Sequence, residues 1–137
     1  MAATVYNISK NNIDTADLRV MLVVGYTFDA DHATITAVLA SAGCAEATFT
    51  NYARKALASE AFTVINATDR GMLDAADPST WSNAGGTVDN LVSHAIVYDH
   101  NTNDGDSLPV SCHTVAKTTN GGDLDIDLSA DGILYTS

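Results

Sequence analysis

Acidic and amide side chains are concentrated in residues 99–106, which read Asp-His-Asn-Thr-Asn-Asp-Gly-Asp. Calcium loops of the EF-hand type place such oxygen ligands at positions 1, 3 and 5, with Gly at position 6 and Glu at position 12. Counted from Asp99, the first three positions match, but Asp104 stands at the glycine position and Val110 at the glutamate position. The flanking residues predict strands rather than helices. We therefore interpret this stretch as a solvated hairpin loop and keep a divalent-cation site as the alternative.

Two histidines and a cysteine could be zinc ligands if the fold brought them together. His94 precedes the loop, whereas Cys112 and His113 follow it. A structural zinc site needs three or four ligands in a closed arrangement. Successive residues of a strand point to opposite faces, so Cys112 and His113 cannot both face His94. We therefore predict no metal site here.

Residues 123–128 alternate between aspartate and aliphatic side chains. This alternation predicts a strand with its leucines and isoleucine inward and Asp123, Asp125 and Asp127 outward, roughly 7 Å apart on one face. A column of like charges protects a sheet edge from pairing with another chain, which is the interpretation that we favour. An ionic contact with a basic neighbour is the alternative.

A single tryptophan, Trp81, lies near Asn83 and a Gly-Gly turn. An indole beside polar groups can stack on a sugar, but a lone tryptophan next to a turn is more often a core residue. We favour the core, and keep a carbohydrate-binding or calcium-binding module as an alternative function.

No pattern typical of catalysis is present. The chain has no Gly-x-Ser-x-Gly turn, no glycine-rich dinucleotide pattern and no phosphate-loop lysine,. No histidine-containing loop carries a paired acid of the kind that activates a nucleophile. We predict that the protein is not an enzyme and has no catalytic, cofactor-binding or metal-binding residues and no cofactor.

Charge and length restrict the class of protein further. The chain has 137 residues and a net charge of −11, with only six Lys and Arg. Because binding to DNA, RNA or an anionic membrane surface needs basic side chains, we expect none of these partners. No apolar run approaches the roughly 20 residues of a membrane span, and the N-terminal residues do not resemble a signal peptide. We expect Cys44 and Cys112 to be free thiols in a protein made in a reducing cytoplasm.

The predicted elements form one β-rich domain. Residues 91–117 read as a hairpin whose first arm is apolar on both faces, so we expect it to be a central strand covered on both sides. Residues 18–24 predict another strand, and the spacing of Ile35, Val38 and Leu39 predicts one short helix at about 30–42, capped by Asp29 or Asp31. Further strands are predicted at 61–65, 72–75, 123–128 and 133–135. For residues 45–58 the periodicity favours a helix.

Several stretches resemble a family of small tailed-bacteriophage virion proteins encoded among the structural genes. The stretches occur in the same order in this chain and span residues 18–134: 18–23 with 26–32, 52–57, 76–81, 95–98, 107–109, and 120–126 ahead of 130–134. They are strand and turn motifs rather than chemical signatures. The chain departs from the family pattern at Cys112 and His113, where more apolar residues are usual, and at Asp127, where an aromatic residue is common.

The resemblance implies a β-rich fold without enzymatic activity that assembles on the virion, and it implies a strand rather than a helix at residues 52–57. We therefore expect a mainly β, antiparallel sandwich or barrel-like single domain over residues 1–137, with 1–15 as an extended N-terminal arm. The expected function is decoration, or cementing, of the outside of the major capsid shell by a homo-oligomer, with a trimer favoured. A tail, neck or fibre-base component is the alternative within this class. The localisation that follows is the virion exterior, after synthesis in the host cytoplasm.

Overall fold

A computed structural model gives the fold. It describes the backbone of residues 3–5, 17–57, 61–65, 70–74, 78–87, 90–126 and 134–136, and the side chains of 17–57, 78–87 and 90–126. The described elements in chain order are β1 (Ala3–Val5), β2 (Leu18–Val24), α1 (Ile35–Leu39), β3 (Ala45–Glu46), β4 (Lys55–Ala56), β5 (Ala61–Ile65), β6 (Arg70–Asp74), β7 (Leu91–Asp99), β8 (Leu108–Thr118) and β9 (Leu134–Thr136).

The strands form two antiparallel sheets. The larger has the order β1-β8-β7-β2-β3, and β4 pairs with β2 on the same side as β3. The smaller has the order β5-β6-β9. The predicted mainly β, antiparallel fold with one short helix is therefore confirmed. The larger sheet is not closed on itself, and the sandwich or barrel arrangement stays a prediction.

The predicted hairpin is present, and its first arm is central. β7 lies between β2 and β8, and Ala95, Ile96, Val97 and Tyr98 are all fully buried. Simple alternation would put Val92 on the face of Ile96 and Tyr98. A register shift between Val92 and His94 instead moves Val92 into the cluster that contains Ala95 and Val97, because a bulge inserts one residue and changes the phase of the alternation.

Each face of the larger sheet buries an apolar cluster. The first cluster joins alternate residues of β2 and β7 to the chain around Phe49, Trp81 and Leu124. The second joins the opposite residues of the same strands to the helix, through Ile35 and Val38. The strands therefore carry apolar residues at successive positions, as expected of a sheet covered on both sides.

The helix is shorter than the predicted 30–42 and has a different N-cap. It covers Ile35–Leu39, and the hydroxyl of Thr34 accepts the Ala37 N–H at 3.1 Å. Asp29 instead uses its carboxylate for the backbone N–H of Asp31, at 2.9 Å. Asp29 and Asp31 both lie before the N-cap position, which Thr34 occupies, so neither precedes the first helical turn directly enough to cap it,.

Residues 45–57 are not helical, so the periodicity was misleading there. β3 and β4 both pair with β2, with Glu46 opposite Val23 and Lys55 opposite Val20. Between them the chain turns, as Tyr52 N–H donates to the Phe49 carbonyl at 3.0 Å. The strand expected at residues 52–57 is therefore found only at Lys55–Ala56, where the backbone pairs with β2.

Other predicted elements are found with altered bounds. β5 matches the predicted strand 61–65, and β6 begins at Arg70 rather than at Met72. In the described part of the predicted strand 123–128, which ends at Ile126, Leu124 and Ile126 are buried and Asp123 and Asp125 are exposed, and the one bridge found there joins Leu124 to Trp81. Asp127 lies outside the described residues. β9 covers Leu134–Thr136, one residue later than predicted.

The N-terminal segment was predicted to be an arm. Its described part, β1, pairs with β8 of the same chain, with Ala3 opposite His113 and Val5 opposite Ser111. The other residues of the 1–15 segment lie outside the described ones. Among the described helices, none has the length and apolar character needed to cross a membrane.

Gly25 ends β2 at a place that only glycine fits. Its φ is +63°, and a Cβ there would collide with the carbonyl of Gly43. Because that neighbour is backbone, it cannot move aside cheaply. This contact fixes where the chain leaves β2 and where it returns to form β3.

Candidate functional site

The loop at residues 99–106 is organised by its own hydrogen bonds. The Asn103 side chain accepts the Gly105 N–H at 2.8 Å, and the Asn103 carbonyl accepts the Ser107 hydroxyl at 2.8 Å. The loop also forms hydrogen bonds with the start of α1. Ile35 N–H donates to Ser107 O at 3.1 Å, and Thr36 N–H donates to Asp104 O at 3.2 Å. The loop therefore satisfies backbone donors at the start of α1, which a helix of this size cannot satisfy itself.

Asp104, the central acid of this loop, is bound to Arg54. The two guanidinium nitrogens Nη1 and Nη2 lie 2.6 and 3.0 Å from its two carboxylate oxygens. This hydrogen bonding lowers the pKa of Asp104 below its ordinary value. A cation in the loop would have to compete with the guanidinium for the same oxygens. Within the described residues, no three His, Cys, Asp or Glu side chains are placed to hold a metal ion.

Arg54 also binds a second carboxylate, that of Glu46, and contacts Tyr98, while Tyr52 joins the group through Glu46. We call the five residues Glu46, Tyr52, Arg54, Tyr98 and Asp104 the Arg54 cluster. Nε and Nη2 each lie 2.8 Å from one Glu46 oxygen. Tyr52 donates to Glu46 at 2.6 Å and accepts the Leu22 N–H at 3.3 Å. The guanidinium carbon lies 5.6 Å from the ring centroid of Tyr98, within cation–π range,.

The electrostatics of the Arg54 cluster favour one protonation state. The hydrogen bonds to Glu46 and Asp104 raise the pKa of Arg54 above its already high value. Burial, and then the hydrogen bond to Glu46, raise the pKa of Tyr52. Neither group can exchange a proton near neutral pH, as a general acid or base must. The cluster instead holds β3, the chain before β4 and the hairpin loop together.

Trp81 is a core residue and offers no surface for a sugar. The residue is 1% exposed, its indole N–H donates to the Ala53 carbonyl at 2.8 Å, and the Lys55 ammonium lies 5.1 Å from the ring centroid. A stacking platform needs an accessible ring face. The carbohydrate alternative therefore loses the residue on which it was based.

The candidate zinc ligands do not converge. His94 is opposite Val23 and Thr114, whereas His113 is opposite Ala95, so the two histidines belong to opposite faces of the sheet,. His113 is fully buried, with Nε2 3.0 Å from the Ser111 hydroxyl, and burial lowers its pKa to about 4. Cys112 packs in the second apolar cluster.

A histidine contact that the sequence did not indicate lies beside an open cavity. Tyr26 and His32 are joined by a hydrogen bond of 2.9 Å between the hydroxyl and Nδ1, and His32 Nε2 is 3.9 Å from an Asp29 oxygen. The cavity has a volume of about 500 Å³ and is lined by Phe28, Asp29, His32 and Ser41 among others. Tyr26 is 4% exposed, so its hydroxyl is directed to the histidine rather than to the cavity. We assign this pair to packing.

The cationic side chains that the structure describes are all engaged. Arg19 pairs with Asp17 at 3.1 Å, and Arg54 pairs with Glu46 and Asp104. Lys55 lies over Trp81, and Lys117 donates to the Asp125 carbonyl at 3.3 Å. The described surface therefore presents acidic groups without a basic patch.

The Arg54 cluster is the polar centre that sequence reasoning missed. A signal was available, because a chain with 17 acidic and only six basic residues rarely leaves an arginine unpaired. The partners could not be named, since Glu46 and Asp104 lie far from each other along the chain. Comparison of the chain with protein-family models, curated proteins and solved structures finds no match.

Proposed function

We propose that this protein is a non-enzymatic structural component of a tailed-bacteriophage particle that decorates the outside of the major capsid shell. The proposal begins from the sequence resemblance to small virion proteins. The structural observation that supports it best is the engagement of every described cation on a strongly acidic chain. Such a surface repels packaged DNA and suits the exterior of the shell.

A decoration protein needs stability and adhesive surfaces rather than an active site. Both faces of the larger sheet are covered by apolar clusters, and the Arg54 cluster fixes the hairpin loop to the sheet edge. A homo-oligomer, with a trimer favoured, would repeat each small contact with the capsid by symmetry and strengthen binding through multivalency.

Two alternative functions can be distinguished from decoration, one by the copy number of the protein in the particle and the other by the effect of calcium on its stability. A tail, neck or fibre-base component would use the same properties at far fewer copies. The calcium or carbohydrate module is disfavoured by the buried Trp81 and by the pairing of Asp104 with Arg54. If calcium bound the loop, it would raise the melting temperature relative to a chelator-treated sample.

The test is to count copies of this chain in purified particles by quantitative mass spectrometry, with the major capsid protein as the internal standard. Decoration of the whole shell predicts a ratio of one to one or a simple fraction of it. Six or twelve copies per particle would instead support the alternative of a tail or neck component. Absence from purified particles would refute the virion proposal.

A second experiment checks the location. Particles assembled without this chain should bind purified protein added afterwards, because decoration occurs on the outside of a finished shell. Incorporation only during assembly would contradict an external position. A heat-unfolded sample of the same protein serves as the control for nonspecific adsorption.

A further inference from the structure

The turn that follows β8 contains the single Asn-Gly dipeptide of the sequence, Asn120–Gly121. The backbone nitrogen of the residue after an asparagine can attack the side-chain amide carbon, which closes a succinimide ring and releases ammonia. Water then opens the ring to aspartate or to isoaspartate, in which the backbone runs through the former side chain. Glycine favours the attack because it has no side chain to obstruct it. Asn120 is exposed, and no described atom lies within 4 Å of the position that a Cβ would occupy on Gly121.

The amide carbon of Asn120 is held against the backbone of the turn. The side-chain Oδ1 accepts the Gly122 N–H at 3.1 Å, the local contact that asparagine makes with the residue two positions further on. This hydrogen bond withdraws electron density from the side-chain carbonyl, so the carbon becomes a better electrophile. The group that is attacked is therefore already in place.

The attacking nitrogen, in contrast, is held by another part of the chain. Gly121 N–H donates to the Ala84 carbonyl at 2.6 Å, and Ala84 N–H donates to the Gly122 carbonyl at 2.8 Å. The Gly121 nitrogen must lose its proton to attack, and the hydrogen bond to Ala84 retains that proton. The reaction must therefore wait until this pair opens locally.

Asn90 braces the same pair from the side. Its Nδ2 donates to the Gly86 carbonyl at 3.0 Å and to the Thr119 carbonyl at 3.2 Å. Its own carbonyl accepts the Thr119 N–H at 3.0 Å. One side chain thus joins the two stretches that must separate before Gly121 can react.

We propose that Asn120 is a spontaneous deamidation site that reacts only when Gly121 separates from Ala84, and that the isoaspartate product does not re-form this pair. The Gly121 nitrogen forms a bond to the Asn120 amide carbon, the side-chain nitrogen leaves as ammonia, and water is the one co-reactant. The chain gains one negative charge. Isoaspartate also lengthens the backbone of the turn by one methylene, which displaces the Gly121 N–H from the Ala84 carbonyl. A reversible opening thereby becomes permanent.

The turn leads directly into the segment that pairs with Trp81. Trp81 N–H donates to the Leu124 carbonyl at 3.0 Å, and Leu124 N–H donates to the Trp81 carbonyl at 2.9 Å. Both side chains belong to the first apolar cluster. Permanent release of the turn should therefore loosen one margin of this cluster. The inference rests on these contacts and not on the proposed virion function.

Peptide mass spectrometry after incubation at mildly alkaline pH measures the rate of deamidation at Asn120. The unchanged protein should react about tenfold faster in urea than in buffer, because folding retains the amide proton. Asn90→Ala removes the brace and should accelerate the reaction of the folded protein severalfold. Asn101→Ala is the matched control, since it removes an exposed asparagine from the hairpin loop, and it should leave the rate unchanged.

The consequence of the reaction is measured on the separated products. The isoaspartate form should melt at a lower temperature than Asn120→Asp, which carries the same charge on an unaltered backbone. Equal rates in urea and in buffer, or equal rates in Asn90→Ala and Asn101→Ala, would overturn the gating by Ala84. Equal melting temperatures of the two products would overturn the permanent release. If Asn90→Ala does not fold, as judged by circular dichroism, the comparison of urea with buffer decides.

Discussion

Two neighbouring residues, Ala53 and Arg54, belong to regions held together by opposite kinds of interaction. The Ala53 carbonyl accepts the indole N–H of Trp81, which lies in an almost entirely apolar layer. The Arg54 side chain enters a cluster of two carboxylates and two tyrosines. The apolar layer depends on area removed from water, whereas the Arg54 cluster depends on geometry among atoms that remain partly exposed.

The difference shows in what each region tolerates. Apolar packing is nondirectional, so a similar side chain can replace another at modest cost. A bidentate guanidinium pair is directional, and even lysine cannot reproduce it. The following changes should separate the two regions, in order of decreasing effect.

Truncation of Trp81 should have the largest effect. Trp81→Ala removes a fully buried indole and leaves a cavity, which should lower the free energy of unfolding by about 3–5 kcal/mol. Chemical denaturation measures this value. Trp81→Phe keeps most of the apolar area and should lose clearly less. An equal loss in both variants would show that the indole N–H, rather than apolar burial, dominates in this layer.

Acid should destabilise the fold through His113, a buried neutral group that belongs to neither kind of region. Its folded pKa is about 4, against an ordinary value of 6.5, so the unfolded chain binds the additional proton. Its contribution is complete above pH 6.5 and is lost as the pH falls to about 4, at a cost of up to about 3 kcal/mol. Stability profiles of the unchanged protein and of His113→Gln should differ in slope only within this window.

Removal of the guanidinium should have an intermediate effect. Arg54→Met leaves two carboxylates close together without their cation and should cost about 1–3 kcal/mol, since the pair is only partly buried. Arg19→Met is the matched control, because Arg19 pairs with Asp17 at a more exposed position. That control should cost less than about 1 kcal/mol. Equal losses would show that the Arg54 cluster behaves as an ordinary surface ion pair.

Deletion of the Tyr52 hydroxyl should have the smallest effect. Tyr52→Phe retains the ring that packs on Phe49 but removes one hydrogen bond to Glu46 and one from Leu22 N–H. The expected loss is about 1 kcal/mol. Combining it with Arg54→Met in a double-mutant cycle measures the coupling between the two side chains. Strict additivity would mean that Glu46 does not link them.

The sequence predicted the apolar layers better than the polar contacts. Periodicity and strand composition located β2, β5 and β7, and the alternation of residues 123–128 gave the correct burial of Leu124 and Ile126. These signals are local, because the pattern of apolar residues along a strand is enough to predict which of its faces are buried. The bulge at residues 92–94 was not visible, since it depends on how β7 and β8 pair.

The Arg54 cluster shows why the rest was missed. Its members come from β3, the turn before β4, the strand β7 and the hairpin loop. No local sequence pattern in these separate stretches predicts that their side chains are in contact. The helix-like periodicity of residues 45–58 gave the wrong structure, because pairing with β2 overrides a weak intrinsic preference. The calcium-like spacing of residues 99–106 likewise gave no sign that Asp104 forms a salt bridge with Arg54.

The pairing of β1 with β8 has a consequence for how the chain folds during synthesis. β1 is made well before β8, the strand that it joins, because six described strands and the helix lie between them along the chain. The β7–β8 hairpin can form locally, but β1 must wait until β8 has been made, and such nonlocal pairing slows folding. Residues 3–5 should therefore be the last part of the larger sheet to become protected in a pulse-labelling experiment on nascent chains.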